Sequence, residues 1–277
     1  MKINPILNDP SDLKCIKCSS ADLRVLEDKI VCSECKHFYK IENNKIITAS
    51  DFIKEENWET VSDGFDLFKG NEKYSAVDII GGPRISELRS KLGVKGLSIN
   101  LGSGQDNHDG FVNIDLGQYE PVDLISDLTE LPLADSSVEL IVSNSVLEHI
   151  YDFRKVIEEV YRVMKPNGHF YLCVPNAGCI RHHKLDYHRW TQPGLRKLFD
   201  ERFEFVESGA CRGIAYAIIP YVEALISYSI KNKFLLSISR WFWRLISRPL
   251  YWIKHENSED YQALSQTLYI LVKKNEV

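Results

Sequence analysis

The sequence predicts an α/β chain: an open, mainly parallel sheet covered by helices on both faces, with a small cysteine-held ribbon in front of it. Three observations point there. Four cysteines, Cys15, Cys18, Cys32 and Cys35, repeat a Cys-x2-Cys spacing near the N-terminus. Short apolar runs of strand length occur at 97–101, 111–114, 138–142 and 170–174. Between the last two, over 152–164, apolar residues recur at helical spacing. Composition agrees with a packed core, since 44% of the 277 residues are hydrophobic and 26% charged, with 15 Gly and 10 Pro; a disordered or low-complexity chain does not fit. The length allows one or two domains.

From the N-terminus, each two-residue gap lets both thiolates of a cysteine pair converge on one tetrahedral ion at about 2.3 Å, so in a reducing compartment the four read as a structural zinc site. Two disulfides, or four unrelated thiols, are the alternatives. Between the pairs, 23–26 and 29–31 alternate as a hairpin, and 38–41 with 45–47 form a second, turned at Asn43 and Asn44. The unit, residues 1–48, is too small to be stable without its metal. It resembles the zinc ribbons of the small activator subunits that partner RNA and protein methyltransferases. Residues 49–95 read as a charged connector dotted with Phe52, Trp58, Phe65, Phe68 and Tyr74, closing in a helix at 85–92.

The chemistry begins at residue 96. The run Leu97-Ser98-Ile99-Asn100-Leu101 ends in Gly102-Ser103-Gly104, and Phe111-Val112-Asn113-Ile114 ends in Asp115. In an open parallel sheet, ligands bind beyond the carboxyl ends of the strands, where glycines let the backbone approach and a carboxylate at the next strand's tip accepts both hydroxyls of a ribose. An ordinary tight turn and a solvated strand end are the plain alternatives. Further on come Asp123 to Asp127, the stretch Leu131-Pro132-Leu133-Ala134-Asp135, the strand 138–142, Leu147-Glu148-His149, and Arg162-Val163-Met164-Lys165-Pro166-Asn167-Gly168. Over 96–205 this succession resembles the class I S-adenosylmethionine-dependent methyltransferases of the type 11 group. The resemblance implies a Rossmann-like sheet. In 152–164, Val156, Ile157, Val160 and Val163 should face inward, with Pro166-Asn167-Gly168 ending the helix and 170–174 forming the next strand.

Carried over position by position, the resemblance assigns S-adenosylmethionine to Gly102 and Gly104 along its methionine and ribose, to Asp115 at the ribose diol, to Asp127 and Leu128 beside adenine, and to Asn144 at the fourth strand's end, with Leu101 and Leu116 as further cofactor-binding residues. One departure stands out: only ten residues separate Gly104 from Asp115, where the family has a full helix. A loop holding Asp106, Asn107, His108 and Asp109 should replace it, leaving out the helix N-terminus that would face the methionine carboxylate. Methyl transfer from a sulfonium needs alignment, and a base where the acceptor is a hydroxyl. His149 and His188 are the catalytic candidates, the latter in the cluster Arg181-His182-His183-Lys184-Leu185-Asp186-Tyr187-His188. A metal on Glu148 and His149 is not expected, because Ser145 stands where related metal sites carry a carboxylate.

Toward the C-terminus, 213–254 reads as a helical insertion before a last strand at 267–272. From 224 to 254 there are six basic residues and no acidic one. On a helix, Lys233, Ser237, Arg240, Arg244 and Ser247 share one face, and Leu235, Ile238, Trp241, Phe242, Leu245 and Ile246 the other. Such a segment is expected either to meet an anionic membrane through 231–254 or to pack on its own domain with a solvated basic face. The first fourteen residues hold Lys2, Asp9, Asp12 and Lys14 and no apolar run, so a cytoplasmic location, peripheral at the inner membrane face if the helix docks there, is the expectation. The net charge of −5 argues against a broadly basic nucleic-acid surface. The functional expectation is methylation of a hydroxyl on a glycan, lipid-linked sugar or other small metabolite. An rRNA or tRNA methyltransferase, and a silent cofactor-binding scaffold, are the alternatives.

Overall fold

The computed structural model describes residues 4–8, 10–49, 83–177, 185–252 and 258–276. The aromatic connector residues Phe52, Trp58, Phe65, Phe68 and Tyr74, the run Arg181 to Lys184, Cys179 and Lys254 lie outside the described residues. The strands are β1 (Leu23–Val25), β2 (Lys29–Cys32), β3 (Phe38–Glu42), β4 (Lys45–Ile47), β5 (Ser98–Leu101), β6 (Val112–Asp115), β7 (Leu124–Ile125), β8 (Val138–Asn144), β9 (Met164–Pro175), β10 (Phe203–Arg212) and β11 (Thr267–Lys274). They join in one sheet, in the order β1-β2-β3-β4-β7-β6-β5-β8-β9-β11-β10. The five strands from β7 to β9 run parallel, and β11 enters antiparallel between β9 and β10.

The chain moves outward from β5 through β6 to β7, then returns to place β8 on β5's other side. The strand order therefore reverses between β5 and β8, and a parallel sheet opens a crevice at the carboxyl ends of strands at such a point. Along β8 and β9, alternate residues serve opposite faces. Ile141, Phe170 and Leu172 pack with Val156, Ile157, Val160 and Val163 of α3 (Phe153–Val163), while Leu140, Val142 and Tyr171 pack with Ile85 and Leu88 of α2 (Ile85–Lys91). All four expected inward positions of α3 are buried. Each contributes about 1.5–3 kcal/mol of apolar transfer as an upper estimate.

The expected helix stop is corrected. The helix ends at Val163 and β9 begins at Met164, so Pro166-Asn167-Gly168 lies inside a strand. The register jumps from Val138 opposite Met164 to Leu140 opposite His169, leaving the tripeptide as a bulge on β9. Asn167 takes φ 64° there, and a Cβ on Gly168 would approach the Lys165 carbonyl to 2.8 Å.

The ribbon is a continuation of the same sheet. Both expected hairpins form, and Asn43 and Asn44 hold φ 51° and 63°, the left-handed pair a tight hairpin turn demands. Ile46 and Ile47 of β4 pair in parallel with Leu124 and Ile125 of β7. Leu13 bridges Leu133, and the buried Asn4, just before α1 (Pro5–Asn8), donates to the carbonyls of Asp123 (2.8 Å) and Asn44 (3.1 Å). Ile30, Tyr39 and Ile46 belong to the same apolar core as Leu124, Leu131 and Leu133.

The 213–254 insertion holds α5 (Ile214–Ser229) and α6 (Lys233–Ser247), preceded by the short α4 (Gln192–Arg196) after the central sheet and followed by α7 (Glu259–Leu264) before β11. Asn232 separates α5 from α6 and caps α6, its side chain accepting from the N–H groups of Phe234 and Leu235. The expected solvated basic face is only partly so: Lys233, Ser237 and Arg244 are exposed, Ser247 is buried, and Arg240 and Arg244 reach across to share Oε1 of the buried Glu223 on α5, at 3.1 Å and 2.6 Å. The expected buried face, Leu235, Ile238, Trp241, Phe242, Leu245 and Ile246, is exposed. A carboxylate inside the insertion needs cationic partners, and that requirement fixes which side of α6 faces in.

Candidate active site

The loop after β5 folds back on the tip of β6: Gly102 and Ser103 donate their N–H groups to the Ile114 carbonyl at 2.8 and 3.2 Å. Gly102 has φ 66°, and a Cβ on it would collide with the Val146 side chain, so this position demands glycine on both counts. Gly104 has φ 53°, and a Cβ there would meet nothing within 4 Å; its free side faces open space. At the tip of β6, Asp115 accepts from Gly104 N–H through Oδ2 (2.8 Å) and from Gly117 N–H through Oδ1 (2.7 Å). Burial pushes this carboxyl above its usual range, against the pull of the two N–H donors. The arrangement leaves lone pairs on both oxygens for two further donors, which is what a ribose diol supplies.

The short segment between Gly104 and Asp115 forms turns without a helix, as its length implies. A buried polar chain holds it: Asn100 donates to Asn113 Oδ1 (3.3 Å), and Asn113 donates to Asn107 Oδ1 (3.1 Å) and to the Pro121 carbonyl (3.0 Å). Asp123 closes the far side, accepting from Asn113 N–H at 2.9 Å. Within the loop, burial raises the Asp106 carboxyl and lowers the His108 imidazole from their ordinary values. Sequence reasoning missed this network. Its signal was asparagine at two inward strand positions, where that residue is depleted.

Leu101 is fully buried at the end of β5 and Leu128 lies in the main core, so both back the site as apolar wall. Leu116 follows the Asp115 turn, half-buried. Asp127 is exposed and turned onto its own loop, where Oδ1 accepts from the Thr129 N–H and hydroxyl, each at 2.8 Å. Asn144 ends β8 beside Ser145, whose φ of 58° turns the chain sharply toward the Leu147–His149 turn.

That turn is stitched to the segment 185–190. His149 Nδ1 lies 3.1 Å from the Leu185 carbonyl, Tyr187 N–H donates to the Glu148 carbonyl at 2.7 Å, and His188 Nε2 lies 3.1 Å from the Tyr151 carbonyl. With Nδ1–H donating in the neutral ring, His149 Nε2 keeps its lone pair. The His188 ring stands edge-on to Phe153, centroids 4.8 Å apart. Glu148, passed over at the sequence level except as a metal candidate, is 5% exposed, and burial raises its carboxyl to about 8. Its Oε1 lies 3.9 Å from His149 Nε2, and its Oε2 has no hydrogen-bond partner.

Ser103 Oγ and Ser143 Oγ are likewise buried without partners, one in the glycine loop after β5 and one near the end of β8. Orphaned polar atoms on both sides of the crevice, a carboxylate with spare lone pairs and an open glycine fit a nucleoside with a charged tail such as S-adenosylmethionine.

In the ribbon, the four Sγ atoms lie within 4.8 Å of one another, with Cys15–Cys35 and Cys18–Cys32 each at 3.5 Å. A tetrahedron of thiolates about 2.3 Å from zinc has edges of about 3.8 Å, so the set fits that ion. Both knuckles turn alike, with the residue after the second cysteine left-handed: Ser19 at φ 60° and Lys36 at φ 63°.

Comparison with known proteins agrees with this crevice. Residues 104–172, from the glycine loop into β9, match the family described as "Methyltransferase domain". The chain is 40% identical over 60 residues to a Mycolicibacterium smegmatis protein called "Probable S-adenosylmethionine-dependent methyltransferase", covering 21% of this chain and 23% of that one. It is 30% identical over 81 residues to the dimethylglycine N-methyltransferase of Parasynechococcus marenigrum, 29% of each. With the arsenite methyltransferase of Aquipseudomonas alcaligenes it shares 47% identity over 47 residues, 17% of this chain and 14% of that one. The matches thus span less than a third of the relatives' lengths. Among solved structures, a chain of the Haloferax volcanii complex between the Trm112 methyltransferase activator and a methyltransferase aligns at TM-score 0.43 and 14% identity, covering 69% of this chain and 90% of that one.

Proposed function

We propose that this chain is an S-adenosylmethionine-dependent methyltransferase that methylates a hydroxyl of a glycan, lipid-linked sugar or other small metabolite. The observation that carries the reading is the crevice at the β5/β8 reversal, where Gly104 N–H and Asp115 meet and orphaned serine hydroxyls line the walls. When bound, S-adenosylmethionine supplies an electrophilic methyl group on a sulfonium. Asp115 orients the donor by accepting both ribose hydroxyls. Ser103 and Ser143 offer hydroxyls to its polar edges, and the open side of Gly104 leaves room for it. His149, tied by Nδ1 to the Leu185 carbonyl, keeps Nε2 as base. With the cofactor there to supply the methyl group, Nε2 would take the proton of the acceptor hydroxyl as that oxygen is methylated. His188, fixed between the Tyr151 carbonyl and Phe153, positions the 185–190 strap.

The outward apolar face of the insertion supports a lipid-linked acceptor, met by a protein peripheral to an anionic membrane. The test is calorimetry with S-adenosylmethionine and S-adenosylhomocysteine on wild type and Asp115→Ala, followed by transfer of labelled methyl to glycan, lipid and RNA fractions. Binding lost in Asp115→Ala and label in a lipid-linked or glycan fraction is the expected outcome. Label in RNA moves the acceptor to a nucleic acid. Binding without transfer to any fraction leaves a scaffold, and absence of binding removes the enzyme reading.

A further inference from the structure

Helix α6 is built inside out. The side of α6 against α5 carries Leu236, Ser239, Arg240, Trp243 and Ser247, three of them polar, with the two-arginine grip on Glu223 at its centre. The opposite side is apolar and open: Phe234 is 73% exposed and Trp241 66%, in line with the exposed aliphatic residues between and beyond them. Helix α5 buries Ala217, Ile219, Pro220 and Glu223 and still carries an exposed apolar stripe, Ile218, Tyr221, Leu225 and Tyr228, at three- and four-residue steps. A helix in water normally does the reverse, and contiguous exposed apolar stripes mark a surface that something covers.

We propose that α5 and α6 lie in the plane of an anionic bilayer, their apolar stripes entering the boundary between headgroups and acyl chains. Charge selects this occupant. Arg240 and Arg244 are held by Glu223, while Lys231, Lys233 and Arg248 are exposed at the two ends of α6, where cations reach lipid phosphates. A second copy is disfavoured by the same residues: parallel pairing of α6 sets each cation against its equal, and antiparallel pairing sets Lys233 against Arg248. Tyr221, Tyr228 and Trp241 pair an apolar ring with a polar edge, the composition of a bilayer interface. No described helix is long and apolar enough to cross a membrane, so docking is in plane. The Glu223–arginine cluster lies between the helices and keeps charge off the inserted face.

This docking rests on the reading above only in presenting a lipid-linked acceptor; binding itself needs no turnover. Sedimentation with vesicles of phosphatidylcholine alone, or with a third phosphatidylglycerol, compares wild type, a Trp241→Glu/Leu245→Glu variant and a Lys231→Glu/Lys233→Glu/Arg248→Glu variant. Wild type should bind anionic vesicles at least tenfold more tightly than neutral ones, with a blue shift of tryptophan emission. The apolar-face variant should lose that binding at least tenfold while calorimetric S-adenosylmethionine binding stays unchanged. The charge variant should lose the preference for anionic lipid. Wild type that ignores anionic vesicles at low salt overturns the proposal, as does an apolar-face variant that binds them equally. So does a wild-type dimer, seen by analytical ultracentrifugation, that the apolar-face variant dissociates. Vesicle binding without cofactor binding leaves docking standing and removes the enzyme reading alone.

Discussion

Glu148 is a carboxyl whose Oε2 is buried without a partner, beside a histidine proposed as the base. Burial raises it from 4.5 to about 8, so the native state holds a proton that the unfolded chain releases between those values. Stability from this group is full below pH 4.5 and falls as pH rises toward 8. Glu148→Gln should remove that decline, by on the order of 4 kcal/mol at pH 8. Urea unfolding of both proteins at pH 5 and pH 8 checks it; equal slopes with pH would refute the assignment. His149→Ala should lower turnover by about 10²–10⁴, with cofactor affinity kept, because the proposed base touches the acceptor and not the ribose. His149→Gln, able to bond the Leu185 carbonyl through its amide N–H, should restore folding stability without restoring rate, a split that separates base from strap. Gly102→Ala should destabilise by about 1–3 kcal/mol, from a left-handed φ and the collision with Val146, read as a fall in melting temperature.

At the scale of elements, the β4–β7 pair carries the metal-held ribbon toward the cofactor crevice, beside the Asn4 and Leu13 contacts. The ladder of β4 with β7 is extended by Thr48, which donates N–H and hydroxyl to the Ile125 carbonyl, two residues before Asp127. Ser126 N–H in turn donates to the Asp115 carbonyl at 3.1 Å. Chelating the metal, or Cys32→Ser, should therefore lower both the melting temperature and the affinity for S-adenosylmethionine, since loss of the ribbon frees an edge of β7. Metal analysis with calorimetry before and after chelation measures this. Cofactor affinity that survives complete metal removal would show that β7 holds its place without β4.

Across the whole molecule, one sheet spans from the knuckles to the C-terminal strand, and the proposed cofactor site lies at the β5/β8 reversal near its middle. Saturating S-adenosylmethionine at about a hundred times its dissociation constant should stabilise the protein by about 2.7 kcal/mol, visible as a higher melting temperature in wild type and absent in Asp115→Ala. The cysteine knuckles, the left-handed asparagine turn, the four inward residues of α3 and the helix-free loop before Asp115 were all legible, because each depends on spacing or backbone preference within a few neighbouring residues. The parallel pairing of β4 with β7 was not, since β7 is two residues long and carries no period. Neither was the bulge at Pro166-Asn167-Gly168, where the tripeptide that commonly stops a helix sits inside a strand instead. The sharpest case is α6. Its sequence determined two faces, one basic and one apolar, and periodicity cannot say which of two faces is covered. Only the tertiary structure decided that, through one carboxylate, Glu223, which could be buried on α5 only with cations beside it and so set Arg240 and Arg244 toward α5 and left the Trp241 face outside.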